Sequence, residues 1–172
     1  LKLQSEIEIY QINLKKFFDK INFEQYVNEL EIINKKLESQ PTNPKLLQTK
    51  AHYLIKTENY SEAIEIFDNL LKFQTNNKIL LLRKAYCLSE SKQYSDAISV
   101  YDQVLELDPN NQKTLQSKAY CLSESKQYSD ALPIYDQILE LDPNNQAILI
   151  SKASCLSESK QYSDAISVYD QV

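Results

Sequence analysis

Between residues 78 and 111 the apolar side chains fall at helical rather than strand spacing. Leu81, Ala85 and Leu88 lie at i, i+4 and i+7, a polar Ser-Glu-Ser-Lys-Gln stretch follows, and Tyr94, Ala97, Ile98, Tyr101, Val104 and Leu105 resume the period. The pattern predicts two amphipathic helices joined by a tight turn. The Asp-Pro-Asn-Asn corners at 108–111 and 142–145 end one helix and start the next. Proline disfavours helix in the residue before it, and asparagine is a good N-cap. No glycine serves as a stop.

The whole unit recurs. Residues 84–111 read KAYCLSESKQYSDAISVYDQVLELDPNN, 118–145 read KAYCLSESKQYSDALPIYDQILELDPNN and 152–172 read KASCLSESKQYSDAISVYDQV, a period of 34 residues. One period earlier, Lys50 to Asn77 keeps the alanine, leucine and aromatic positions. In the stretch from Lys16 to Asn43 only Tyr26, Leu37, Pro41 and Asn43 hold the frame. The expected organisation is an N-terminal helical pair or degenerate repeat at 1–43, full repeats at 44–77, 78–111 and 112–145, and a partial one at 146–172. Small residues recur where two helices must approach closely, Ala51, Ala85, Ala119 and Ala153 on the first helix and Ala63, Ala97, Ala131 and Ala165 on the second. A large side chain there should overpack the pair at a cost of about 1–3 kcal/mol. Tyr60, Tyr94, Tyr128 and Tyr162, with Phe67, Tyr101, Tyr135 and Tyr169, are expected to supply core bulk.

Composition then narrows the chemistry. The chain of 172 residues is 42% hydrophobic and 25% charged, enough to bury a core without a low-complexity tract. Its net charge of -5 and its scattered lysines and arginines lack the footprint of a nucleic-acid binder. No apolar run approaches the roughly 18 residues of a membrane span. With no glycine at all, phosphate-cradling loops that need positive φ or close backbone approach are not expected, and no cofactor is implied. His52 is the one histidine, with no nearby cysteine, so no catalytic pair and no histidine-based metal set are expected. The chain is expected not to be an enzyme.

The repeat length, the small-residue positions, the tyrosine before the second helix, the aromatic four residues beyond the second alanine and the terminal Asp-Pro together resemble the tetratricopeptide repeat. The resemblance covers 44–172 well and 10–43 poorly. Leu47, Leu81, Leu115 and Leu149 stand where the family pattern has Trp or Tyr, its small glycine is alanine here, and its next tyrosine is leucine; each swap is apolar for apolar. Pentatricopeptide arrays, which bind RNA, fit the acidic balance poorly, and Sel1-like repeats usually contain glycine.

The resemblance implies an all-α, right-handed superhelical solenoid of antiparallel helix pairs, stable only through stacking of neighbours. It also implies protein binding, with a peptide or partner helix on a concave wall built by the first helices. The corresponding outward positions are Gln48 and His52; Leu82, Arg83 and Tyr86; Gln116, Tyr120 and Glu124; Ile150 and Glu158. Family members that capture acidic chaperone tails use a carboxylate clamp of lysines, asparagines and an arginine or lysine. The matching positions here hold Gln48, His52, Arg83, Lys113 and Ser117, or, one repeat later, Leu82, Tyr86, Ser117, Ala147 and Ser151. That clamp is missing, so a chaperone C-terminal tail is not the expected partner. The alternative is a permanent structural subunit or spacer of a cytoskeletal, ciliary or transport assembly. Cytoplasmic residence is expected, with a ciliary or cytoskeletal location as the alternative.

The cysteines, one proline and the two ends remain. Cys87, Cys121 and Cys155 share one register on neighbouring first helices, whose axes at roughly 8–10 Å stand too far apart for disulfides. They are expected to be buried thiols in a reducing compartment. Pro133 replaces Ser99 and Ser167 of the sister repeats about one turn into its helix, where it should be tolerated. Leu1 in place of Met and Val172 inside a repeat lead to the expectation that further copies, or a partner, cover Ala165, Tyr169 and Val172.

Overall fold

The computed structural model describes the backbone of residues 2–172 and the side chains of 15, 16 and 18–172. Among the described residues nine helices and no strand form: α1 (Lys2–Ser39), α2 (Pro44–Lys56), α3 (Tyr60–Leu71), α4 (Lys78–Glu90), α5 (Tyr94–Leu107), α6 (Gln112–Glu124), α7 (Tyr128–Leu141), α8 (Gln146–Glu158) and α9 (Tyr162–Tyr169). The expected all-α class and its helix pairs are present. Contacts divide the chain inside α3 into two compact units, Leu1–Ile66 and Phe67–Val172.

The corners show why the helices start and stop where they do. Asn43, Asn77, Asn111 and Asn145 each sit in extended backbone at the N-cap, and their side-chain oxygens accept from backbone N–H groups two or three residues on. Their amide nitrogens donate backwards, to Gln40 and Gln74 at 2.7 Å and to Asp108 and Asp142 at 3.0 Å. The C-terminal ends of the first helices use hydroxyls. Ser91 Oγ donates to the Cys87 carbonyl at 2.8 Å, Ser125 Oγ to that of Cys121 at 2.7 Å, and Thr57 Oγ1 to that of Tyr53 at 3.1 Å. The next residue, Glu58, Lys92, Lys126 or Lys160, takes φ of 59, 61, 62 or 65°. The chain therefore makes left-handed turns without glycine. The exclusion of phosphate loops rests on close backbone approach alone.

In the first unit α1 packs against α2, with the Tyr26 ring 6.0 Å from that of Tyr53. Lys2–Ser39 form one helix rather than a pair. The register that holds Thr57 or Ser91 in the turns is occupied there by Phe23, which has no hydroxyl to catch the last carbonyls of a first helix.

In the second unit each helix from α4 to α9 packs against the next, and α6 also touches α8. Leu115, Ala119 and Leu122 of α6, Ala131, Tyr135 and Ile138 of α7, and Ile148 and Cys155 of α8 form one core. Leu149, Ala153, Leu156, Ala165 and Val168 form the next, with Leu132 and Leu139 of α7 packed against it. All eight of the recurrent alanines, in both units, are buried to 3% exposure or less, as close helix approach requires. Phe67, Tyr101 and Tyr135 are buried too. Tyr162 and Tyr169 are not: they stand 60% and 45% exposed, and among the described residues no helix follows α9. Pro133 lies inside α7, which runs on through it.

Candidate functional site

The repeat period puts equivalent side chains on one wall of the second unit, along α4, α6 and α8. Leu82, Gln116 and Ile150 share one register; Tyr86, Tyr120 and Ser154 share the next; Glu90, Glu124 and Glu158 share a third. At the second of these the series breaks, since two phenol rings are followed by a serine. There the structure opens a cleft of about 450 Å³, lined by Tyr120, Ser123 and Glu124 of α6, Lys126 of the turn, Tyr128 and Tyr135 of α7, and Ile150, Ser151, Ser154, Cys155 and Glu158 of α8.

Of the residues expected on the wall, Tyr120, Glu124, Ile150 and Glu158 meet at this cleft. Tyr120 and Ile150 are 49% and 45% exposed. Leu82, Arg83 and Tyr86 on α4 and Gln116 on α6 lie on the same helices but not in its lining. Gln48 and His52 belong to α2 of the first unit, where the His52 ring meets Tyr53 edge-on at 5.4 Å.

Two hydroxyl pairs lie in or beside the cleft, and they are not repeat equivalents of one another. Ser123 and the Tyr135 hydroxyl share a hydrogen bond of 3.2 Å, and Ser154 and the Tyr169 hydroxyl one of 3.1 Å. Burial, and then the Glu124 carboxylate, push the Tyr120 phenol above its ordinary pKa; burial and Glu158 do the same to Tyr128. Burial raises Tyr135, with the Ser123 hydrogen bond opposing it. These phenols stay protonated at neutral pH and keep both a donor and an acceptor beside two carboxylates.

Tyr128, Tyr135, Ser123, Ser154 and Lys126 were not expected here. The two tyrosines read as core by their spacing, and Tyr135 is indeed buried, but its hydroxyl end reaches the lining. The one signal in the sequence was Ser154, which breaks the tyrosine register.

The three thiols are buried and held protonated. Cys87, Cys121 and Cys155 are free and buried, and Cys121 Sγ donates to Ser89 Oγ of the preceding first helix at 3.2 Å. Burial pushes the Cys87 thiol up to about 12 and raises Cys121 and Cys155 as well. A thiol held neutral is a poor nucleophile and a poor metal ligand. Among the described residues no group of three or more His, Cys, Asp or Glu is placed to hold a metal, and no helix is long and apolar enough to cross a membrane.

Residues 54–119 match a family profile described as tetratricopeptide repeat, and residues 90–172 one described as anaphase-promoting complex, cyclosome, subunit 3. No curated protein matches the chain. Among solved structures, MamA from Desulfovibrio magneticus RS-1 is similar at 18% identity and a TM-score of 0.76, with 85% of this chain and 82% of that one covered. YrrB, described as a tetratricopeptide protein with an unusual peptide-binding site, is similar at 21% identity and a TM-score of 0.72, with 87% and 79% covered. At these identities the likeness is one of fold. Helix pairs, corner chemistry and profile matches agree: the chain belongs to the tetratricopeptide-repeat family.

Proposed function

We propose that the chain is a non-catalytic protein-interaction module that takes a peptide or helical segment on the wall of its first helices, centred on the cleft between α6 and α8. The observation that carries this is the meeting of Tyr120, Glu124, Ile150 and Glu158 around one opening of about 450 Å³. Half-exposed aromatic and aliphatic surface beside carboxylates suits a segment with an apolar side chain and a basic neighbour. Buried apolar anchors supply most of the affinity at such sites, and charges on the rim mainly steer and select. The solved relative YrrB is itself described as having a peptide-binding site. Three free, buried thiols accord with a reducing compartment such as the cytoplasm.

Ser154→Tyr is the discriminating variant. It restores the residue that Tyr86 and Tyr120 represent in the sister repeats, so the fold should tolerate it, and it fills the cleft. Peptides selected on the native chain from a displayed random library should bind at least about tenfold more weakly to Ser154→Tyr and to Tyr120→Ala, as loss of a central anchor implies. Selection that enriches the same peptides on Ser154→Tyr would overturn the reading.

A second reading has its own observation. The profile matched at 90–172 is named for a subunit of a large complex, which favours a permanent structural subunit. Cross-linking the protein from its native source separates the two: links from one segment into α6 and α8 support a module. Links from several large chains to both faces support a subunit.

A further inference from the structure

Three rows of side chains cross the wall of the second unit, each member one repeat from the next and each row one helical turn from its neighbour. The third row is Glu90, Glu124 and Glu158, exposed at the C-terminal ends of α4, α6 and α8. Among the described residues the ion pairs are Lys50–Glu62, Lys78–Asp108, Lys84–Asp68, Lys118–Asp102 and Lys152–Asp136, and none engages this row. Lys126, which lines the cleft with Glu124 and Glu158, is in none of them either. Phenols stand between the carboxylates. Burial, then Glu124 and more weakly Glu90, hold Tyr94 above its ordinary pKa, and Tyr128 is placed in the same way between Glu158 and Glu124. Neighbouring first helices touch beside the row: Ser89, which precedes Glu90, accepts a bond from Cys121 of α6 at 3.2 Å, and α6 touches α8. The carboxylates therefore recur at the spacing of packed helices, about 8–10 Å. The wall also stays open where the array continues, since Tyr86 is 44% exposed although α6 and α8 are stacked after it.

On the reading of this wall as a peptide site, we propose that its partner is an extended segment with lysine or arginine at every third position. The cations meet Glu90, Glu124 and Glu158 in turn, while an apolar side chain between them enters the cleft beside Tyr120 and Ile150. A polyproline II segment has three residues per turn and returns each third side chain to the same side after about 9 Å, which matches the helix spacing. A β-strand alternates sides at every residue and puts the third one on the wrong face. An α-helix is about 10–12 Å across and meets the spacing only with cations seven apart. The phenol and carboxylate rows stand about 5–6 Å from each other, close enough for one extended backbone to serve both. Each exposed ion pair adds little affinity, so the apolar contact supplies most of the binding and the charges set the register.

Peptides selected on the full chain from a displayed random library, kept where Ser154→Tyr abolishes capture and synthesised with a fluorescein label for anisotropy, provide the test. Lysine or arginine should recur in them at i, i+3 and i+6. Glu90→Gln, Glu124→Gln and Glu158→Gln together should weaken binding about tenfold, and each alone about two- to fivefold, with folding checked by circular dichroism. Selection on Glu90→Lys should replace the basic residue at one end of the series by an acidic one and keep the other two. Cleft-dependent peptides that carry no basic series, that space their cations seven apart, or that keep the whole series on Glu90→Lys would overturn the inference while leaving the peptide site standing. Peptides indifferent to Ser154→Tyr would remove the site itself, and the inference with it.

Discussion

Lys92, Lys126 and Lys160 hold the left-handed region at φ of 61, 62 and 65°, a conformation that costs an L-residue about 1–2 kcal/mol and glycine nothing. Glycine would relieve that cost but would also free the unfolded chain, which returns about 0.4–1 kcal/mol. Lys92→Gly should therefore raise unfolding free energy by no more than about 1 kcal/mol, read as a shift in urea midpoint. A loss instead would mean that the lysine side chain stabilises the turn. The thiols and phenols make a second prediction. Burial pushes Cys87 from an ordinary value near 9 to about 12 and Tyr101 from 10 to about 12. The folded chain thus holds protons that the unfolded chain releases, so the stability these groups contribute is whole below pH 9 and is lost as pH rises towards 12. Denaturant midpoints should fall across that interval, and thiol labelling of the native protein at pH 8 should be slow and quicken with urea. Rapid labelling in the absence of urea would contradict the burial.

The starts of the first helices were the most legible feature of the sequence, because each has an asparagine cap, whereas Gln93, Gln127 and Gln161 at the starts of α5, α7 and α9 make no side-chain capping bond. Asparagine caps the first helices, and Asp-Pro precedes it at Asn111 and Asn145; removing the cap with Asn111→Ala should cost about 1 kcal/mol, measured by chemical denaturation. Pro133 is a sharper case. Its counterparts Ser99 and Ser167 donate their hydroxyls to the carbonyls of Ser95 and Ser163 at 3.1 Å, whereas proline gives α7 neither that bond nor a backbone N–H at this position. The ring also crowds the carbonyl four residues back. Since α7 runs through it regardless, tertiary packing outweighs the local cost. Pro133→Ser should stabilise the protein by about 1–3 kcal/mol. An unchanged or lowered midpoint would show that the proline ring packs productively. At the N-terminus the sequence holds the repeat frame at only Tyr26, Leu37, Pro41 and Asn43, and one helix, Lys2–Ser39, stands where a helical pair or degenerate repeat was expected. Phe23 offers no hydroxyl at the register where Thr57 and Ser91 close their helices.

At the scale of the molecule, periodicity explains both what could be read and what could not. Residues repeated by copying announce the fold, but their identity across repeats hides which of them meet a partner, so ten wall positions looked equivalent. The cleft arises at a departure from the repeat, Ser154, and its depth depends on Tyr135 from α7, which helical spacing assigns to the core. The same periodicity governs stability, because each pair is stabilised chiefly by its neighbours. Tyr135 of α7 is 3% exposed beneath α8, whereas Tyr169 of α9 is 45% exposed. Within the second unit, opening α9 therefore breaks one interface while opening α7 breaks two. Amide hydrogen exchange should follow that order, with Tyr162–Tyr169 exchanging through local opening at a free energy well below the global value and α5 to α7 approaching it. Equal protection from α5 to α9 in the chain alone would mean that the unit opens all at once, and that stacking on one side suffices to hold a pair.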